Sequence, residues 1–128
     1  MTCSLNTSRA CGGRMKTIIA GGRDYYLTES DISKLDTLHI TEVVEGGAPG
    51  VDRCAFRYAH KKGLKCTTFN AMWQEEGRAA GPLRNRKMAN YAEAVVLFPG
   101  GRGTQSMYNE AVKAGLKIYD YRQTTEEK

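Results

Sequence analysis

The chain has 128 residues, 41% of them hydrophobic, and a net charge of +5; this predicts one domain with its own core and excludes wholesale disorder. No apolar run approaches the roughly 18 residues of a membrane helix and no hydrophobic signal core opens the sequence, so a cytoplasmic protein without a membrane partner is expected. The positive balance suits an anionic partner.

Residues 1–14 are polar, contain Gly12-Gly13 and show no periodic apolar pattern, which predicts a flexible lead segment with Met15 as a natural start. Thr17-Ile18-Ile19-Ala20 then reads as a buried strand ending in Gly21-Gly22. Thr28, with Asp31 three residues on, marks a helix start, and Ile32, Leu35 and Leu38 supply its apolar stripe. Glu42–Glu45 is the second strand, again followed by a glycine pair, Gly46-Gly47. The segment 51–62 predicts a helix with Ala55, Phe56 and Ala59 inward and Gly63 as its stop. Leu64–Phe69 is the third strand, and Asn70–Gly81 reads as a loop bearing Trp73.

Pro82 suits the first turn of the next helix, where its missing N–H costs nothing; Leu83, Met88 and Ala92 follow on it. Ala94–Phe98 is the most apolar strand and runs into Pro99-Gly100-Gly101-Arg102-Gly103-Thr104. Thr104 is expected to cap a helix reaching Ala114 and ending at Gly115, and Lys117–Tyr121 is a last strand before a polar tail, 123–128. Strands alternating with helices predict an α/β, Rossmann-like, doubly wound parallel sheet of five strands, with helices on both faces and an order such as 3-2-1-4-5, over residues 15–122.

In such a sheet the ligand crevice lies beyond the carboxyl ends of the strands. Three strands here end in glycine pairs: Gly21-Gly22, Gly46-Gly47 and Gly100-Gly101. Glycine lets backbone N–H groups approach an anion, and a following helix directs its positive end at the same spot. The Pro99–Thr104 loop is the sharpest candidate for a phosphate, with backbone donors from all but Pro99 and a hydroxyl from Thr104. No lysine follows its last glycine, as a Walker loop requires, and Gly21-Gly22-Arg23-Asp24 lacks the spacing of a dinucleotide fingerprint. The second loop, Glu45 to Asp52, adds two carboxylates that can accept ribose hydroxyls or act as acid or base, while Asp52 can equally favour a helix start by its charge. Arginines beside the turns, Arg23, Arg53, Arg84 and Arg102, suit a compact anion, and no long basic run or basic recognition helix is visible. Cys3, Cys11, Cys54 and Cys66 form no zinc pattern, His39 and His60 stand alone, and neither metal nor cofactor is expected; Cys54 and Cys66 read as reduced, buried thiols.

At these loops the sequence resembles the SLOG superfamily of Rossmann-like domains, which includes the DprA/Smf, Lonely Guy and molybdenum-cofactor carrier-like proteins, and most of all its small YspA-type branch. The matching residues are Ile19-Ala20-Gly21-Gly22-Arg23-Asp24, Glu45-Gly46-Gly47-Ala48 with Gly50-Val51-Asp52, then Trp73, Gly77, Ala80-Gly81-Pro82, Arg84-Asn85 and Met88, and finally Phe98 to Thr104. The resemblance implies a nucleotide-derived ligand across the strand ends, contacted by these loops with Trp73, Arg84 and Asn85, and a homo-oligomer. Lonely Guy enzymes cleave an N-glycosidic bond with an arginine and the glutamate of P-G-G-x-G-T-x-x-E. Arg84 stands fifteen residues before Pro99, similar to that arginine, but Met107 occupies the glutamate position. A thioether moves no proton, so catalysis would fall to Arg84 with Asp24 or Glu45. The expected function is therefore binding of an ADP-ribose-like or cyclic-nucleotide signal, with a nucleotide hydrolase and a DprA-like DNA binder as alternatives. Trp73 would stack on a base or pack as a structural tryptophan.

Overall fold

Three strands are buried on both faces at the centre of the sheet, and two partly exposed strands flank them at its edges. These are β1 Lys16–Ala20, β2 Glu42–Glu45, β3 Lys65–Thr68, β4 Ala94–Leu97 and β5 Lys117–Asp120. The computed structural model describes residues 15–122 and the backbone of a short antiparallel pair, Thr7–Ser8 with Ala10–Cys11. The rest of the expected lead segment and the tail 123–128 lie outside the described residues. The five strands form one parallel sheet in the order β3-β2-β1-β4-β5, the topology expected from sequence. The order reverses between β1 and β4, and such a switch point opens a crevice at the carboxyl rim.

Side chains alternate between the faces with period two. Ile18, Val44, Val95 and Leu97 pack on one face against Met88, Ala89, Met107 and Ala111. Ile19, Val43, Val96 and Phe98 pack on the other against Leu35, Val51, Ala55, Tyr58 and Ala59. Helices α1 (Glu29–Asp36) and α2 (Val51–Lys62) therefore cover one face, and α4 (Ala80–Tyr91) and α5 (Arg102–Ala114) the other. Between β3 and α4 lies the single turn α3, Trp73–Glu76, followed by a 3₁₀ turn at Gly77–Ala79.

Local signals set the boundaries. Thr28 caps α1, and its hydroxyl accepts from the Asp31 amide while the Asp31 carboxylate accepts from the Thr28 amide. Gly63 and Gly115 close α2 and α5 in left-handed conformation, with φ of 70° and 73°.

Three sequence expectations are corrected. Phe56 is 52% exposed, because the buried stripe of α2 runs through Val51, Ala55, Tyr58 and Ala59 and leaves position 56 on the opposite side. The segment 70–81 is not one loop but holds α3, the 3₁₀ turn and the start of α4. Gly101, not Thr104, is the N-cap of α5; Thr104 lies in the first turn, 4% exposed.

Candidate functional site at the carboxyl rim

The three glycine turns meet. The Gly22 amide donates to the Pro99 carbonyl at 2.8 Å, and the Gly22 carbonyl accepts from the Val51 amide at 3.2 Å. These bonds bind the β1 turn to both others. Two glycines are dictated by the approach. A side chain at Gly50, whose φ is 77°, would run into the Gly22 and Arg23 carbonyls. One at Gly100 would lie 2.6 Å from the Gly22 nitrogen and would collide with the Thr104 hydroxyl.

The β4–α5 turn keeps its amides free. Among the described residues, none of the N–H groups of Gly100, Gly101, Arg102, Gly103 and Thr104 meets a backbone or side-chain acceptor; the first helical bond runs from Gln105 to Gly101. These are the orphan donors of a helix start, where the helix dipole also favours negative charge. Gly101 and Gly103 face open space, so packing does not require glycine at either position.

The β2–α2 turn is different. Its amides are spent on its own carboxylates: Gly47 donates to Glu45 at 2.6 Å and Ala48 to Asp52 at 3.2 Å. Glu45 also accepts from the Thr68 hydroxyl and is 3% exposed, so this carboxylate holds the turn to β3 and does not face a guest. The expectation that all three turns offer amides thus narrows to one turn, because side-chain oxygens within the second turn outcompete an external anion there.

Asp52 is 9% exposed. Burial pushes its carboxyl up to about 6, against the amides of Ala48 and Gly46 and the charge of Arg84, while Glu45 pushes the same way as burial. A buried carboxyl poised near neutrality beside a guanidinium is suited to proton transfer. The sequence placed Asp52 at the site but did not single it out over Asp24 and Glu45 as an acid or base, since burial cannot be read from a lone aspartate at a helix start.

Arg84 projects from α4 across to the same turn. Its Nη1 donates to the Gly46 carbonyl at 2.6 Å and the Phe69 carbonyl at 3.4 Å, and its Nε donates to Asn85 at 2.9 Å. Burial lowers its pKa, and Asp52 and Glu45 oppose that. Arg84 therefore ties β2 and β3 ends together while bringing a cation beside two carboxylates. Asn85 is 4% exposed and bonds Ser106 at 3.2 Å, steadying the first turn of α5 from behind.

The remaining site candidates divide cleanly. Arg23, Asp24 and Arg102 are exposed on the rim, and among the described residues their side chains form no ion pair or hydrogen bond. Gly21 packs against Val51 and Phe98, and Val51 is wholly buried with its amide already used, so neither meets a ligand through a side chain. Trp73 is 58% exposed on α3, which removes the structural-tryptophan alternative. Tyr26 and Met72, at 63% and 44%, are exposed on turns of the same rim and were not singled out in the sequence. Asn70 was also missed; it stands against Gly47, and its place just past β3 was the one signal available. Met107 is 1% exposed in the core, so no proton-transfer group stands at the Lonely Guy glutamate position.

Cys54 and Cys66 are half-buried and unpaired by disulfide. Burial, with the Glu45 charge, pushes the Cys66 thiol up to about 11, which makes it a poor nucleophile. Among the described residues no cluster of metal-ligating side chains forms, and no helix is long and apolar enough to cross a membrane.

Comparison with known proteins agrees with this architecture. No curated protein matches the chain in sequence. The X-ray structure of DNA processing protein A (DprA) from Streptococcus pneumoniae is similar with a TM-score of 0.65 at 15% identity, over 84% of this chain and 50% of that one. The chain thus spans about half the length of that protein, and at this identity the likeness speaks for the fold. Residues 15–75 match the model of the YspA, cpYpsA-related SLOG family, YAcAr. That segment is thus similar to the YspA-related SLOG family, and the Rossmann-like sheet it opens is the fold shared with DprA.

Proposed function

We propose that this protein binds a phosphorylated, nucleotide-derived small molecule, with a phosphate on the amides of Gly100–Thr104. The observation that carries this reading is the run of unpaired amides at the α5 start, flanked by two glycines whose absent side chains leave space that packing does not need. Gly22 and Pro99 hold that turn in shape. Trp73, on the same rim, offers a face for a base, and ADP-ribose-like or cyclic-nucleotide compounds carry both groups.

The test uses the full chain with ADP-ribose, cyclic AMP, AMP and inorganic phosphate. A nucleotide that raises Tm and perturbs the emission of Trp73, the only tryptophan, supports the reading. No Tm shift with any of them at millimolar concentration overturns it.

A hydrolytic reading is favoured by one specific observation, the pairing of Asp52, near neutrality, with the Arg84 charge. Asp52 would supply the proton that Met107 cannot. Release of free base in the same incubation, abolished in Asp52→Asn, distinguishes hydrolysis from binding alone.

A further inference from the structure

Helix α2, which the sequence did not mark as a basic recognition element, presents in the structure an unneutralised basic face with one aromatic at its centre. Its exposed residues include Arg53, Phe56, Arg57, His60 and Lys61. At about 100° per residue these five fall within roughly 140° of the helix circumference, and the cations Arg53, Arg57 and Lys61 follow one another at about 6 Å in rise. The acidic residue of the helix, Asp52, is buried away from that face. Among the described residues the ion pairs engage Lys62, Lys65, Arg86, Lys113 and Arg122, so Arg53, Arg57 and Lys61 have no carboxylate partner. Phe56 keeps 52% of its surface in solvent, on the side of the helix opposite its buried stripe.

We infer that the outer face of α2 is a docking surface for single-stranded nucleic acid, with Arg53, Arg57 and Lys61 on phosphates and Phe56 stacked on a base. Charge complementarity selects a polyanion. The single aromatic selects its kind. A protein interface needs an apolar core of several residues, and this face has one ring surrounded by cations. Unpaired bases meet that composition, since every base offers a π-face while the backbone supplies regularly spaced negative charge. A duplex keeps its bases stacked and would leave Phe56 unused. Arg53 borders the rim at the start of α2, but Phe56, Arg57, His60 and Lys61 run away from it along the helix, and the surface does not depend on the small-molecule reading.

Fluorescence anisotropy of the full chain with labelled dT20 and U20, across a salt series, tests the inference. The wild type is expected to bind with a log–log salt slope near −2, as for about three phosphates at 0.7 each. Arg57→Ala/Lys61→Ala should reduce the slope by about 1.4, and Phe56→Ala should weaken binding about tenfold with the slope unchanged. Circular dichroism and Tm of each variant should match the wild type, because these side chains are exposed. Three results overturn the inference: no binding by the wild type, equal binding by the variants, or displacement of the strand by AMP, which would put it on the rim. Poly-glutamate or anionic vesicles of phosphatidylserine binding as tightly as dT20, with no loss in Phe56→Ala, would overturn it in favour of an acidic protein or a lipid surface.

Discussion

Asp52 shows how one side chain links stability to chemistry. Its carboxyl is held up at about 6, first by burial. The folded state therefore keeps a proton that the unfolded chain has released, and it is less stable above the folded value than below the unfolded one. The sign follows directly: this group's contribution falls as pH rises from about 4 to about 6 and is flat above 7. Asp52→Asn removes that slope while keeping one acceptor for the loop amides. Urea unfolding of both proteins at pH 4 and pH 7.5 should therefore show the variant gaining on the wild type at the higher pH, by up to about 3 kcal/mol for two pH units. Equal differences at the two values would mean that Asp52 ionises normally. Arg84 carries the opposite lesson. Arg84→Ala should weaken ligand binding by about 1.5–3 kcal/mol, but it should also lower Tm, because two carbonyls lose their donor and two carboxylates their neighbouring cation. A binding loss with no change in Tm would assign Arg84 to the ligand alone.

At the scale of elements, sequence and structure agree most where a signal is local. The Thr28–Asp31 spacing names both partners of a reciprocal cap, and Gly63 and Gly115 stop their helices with the left-handed turn that glycine adopts most readily. The convergence of the turns was legible too, because parallel strands put every carboxyl end on one rim. What was not legible is who donates to whom. Nothing in Glu45-Gly46-Gly47-Ala48 says that Glu45 and Asp52 will take the amides of their own turn, while Pro99–Thr104, with no carboxylate nearby in sequence, leaves its amides open. Phe56 misled for a similar reason: hydrophobicity assigned it inward, but the stripe through Val51, Ala55 and Ala59 had already filled that face. The two glycine types give a sharp test. Gly100→Ala places a methyl group against the Gly22 nitrogen and the Thr104 hydroxyl and should cost about 1–3 kcal/mol of stability. Gly103→Ala meets nothing and sits in the first turn of a helix, so it should stabilise by up to about 1 kcal/mol. If the amides there hold a phosphate, the same methyl group should weaken nucleotide binding. Denaturant midpoints and calorimetry on the two variants separate these effects, and a Gly103→Ala protein that is both more stable and fully binding would remove the anion from this turn.

For the whole molecule the decisive strand is β4. Leu97 points into the core beneath α4 and α5, and the next residue, Phe98, points into the core beneath α1 and α2. The chain then turns at once into Pro99-Gly100, whose contacts with Gly22 set the shape of the site. Two cores that share a central strand cannot melt separately without breaking it, so the domain should unfold as one cooperative unit. Leu97→Ala should cost about 2–5 kcal/mol and Phe98→Ala about 3–5 kcal/mol, although they empty opposite faces. In each case the transition followed by near-ultraviolet and far-ultraviolet circular dichroism should coincide. A bound nucleotide at one hundred times its Kd should raise stability by about 2.7 kcal/mol in the wild type and in both variants alike, since the rim is intact whenever the sheet is. A first transition that abolishes ligand protection while half the helical signal survives would show that the α4–α5 layer holds the phosphate turn by itself, and the coupling of site to sheet would have to be abandoned.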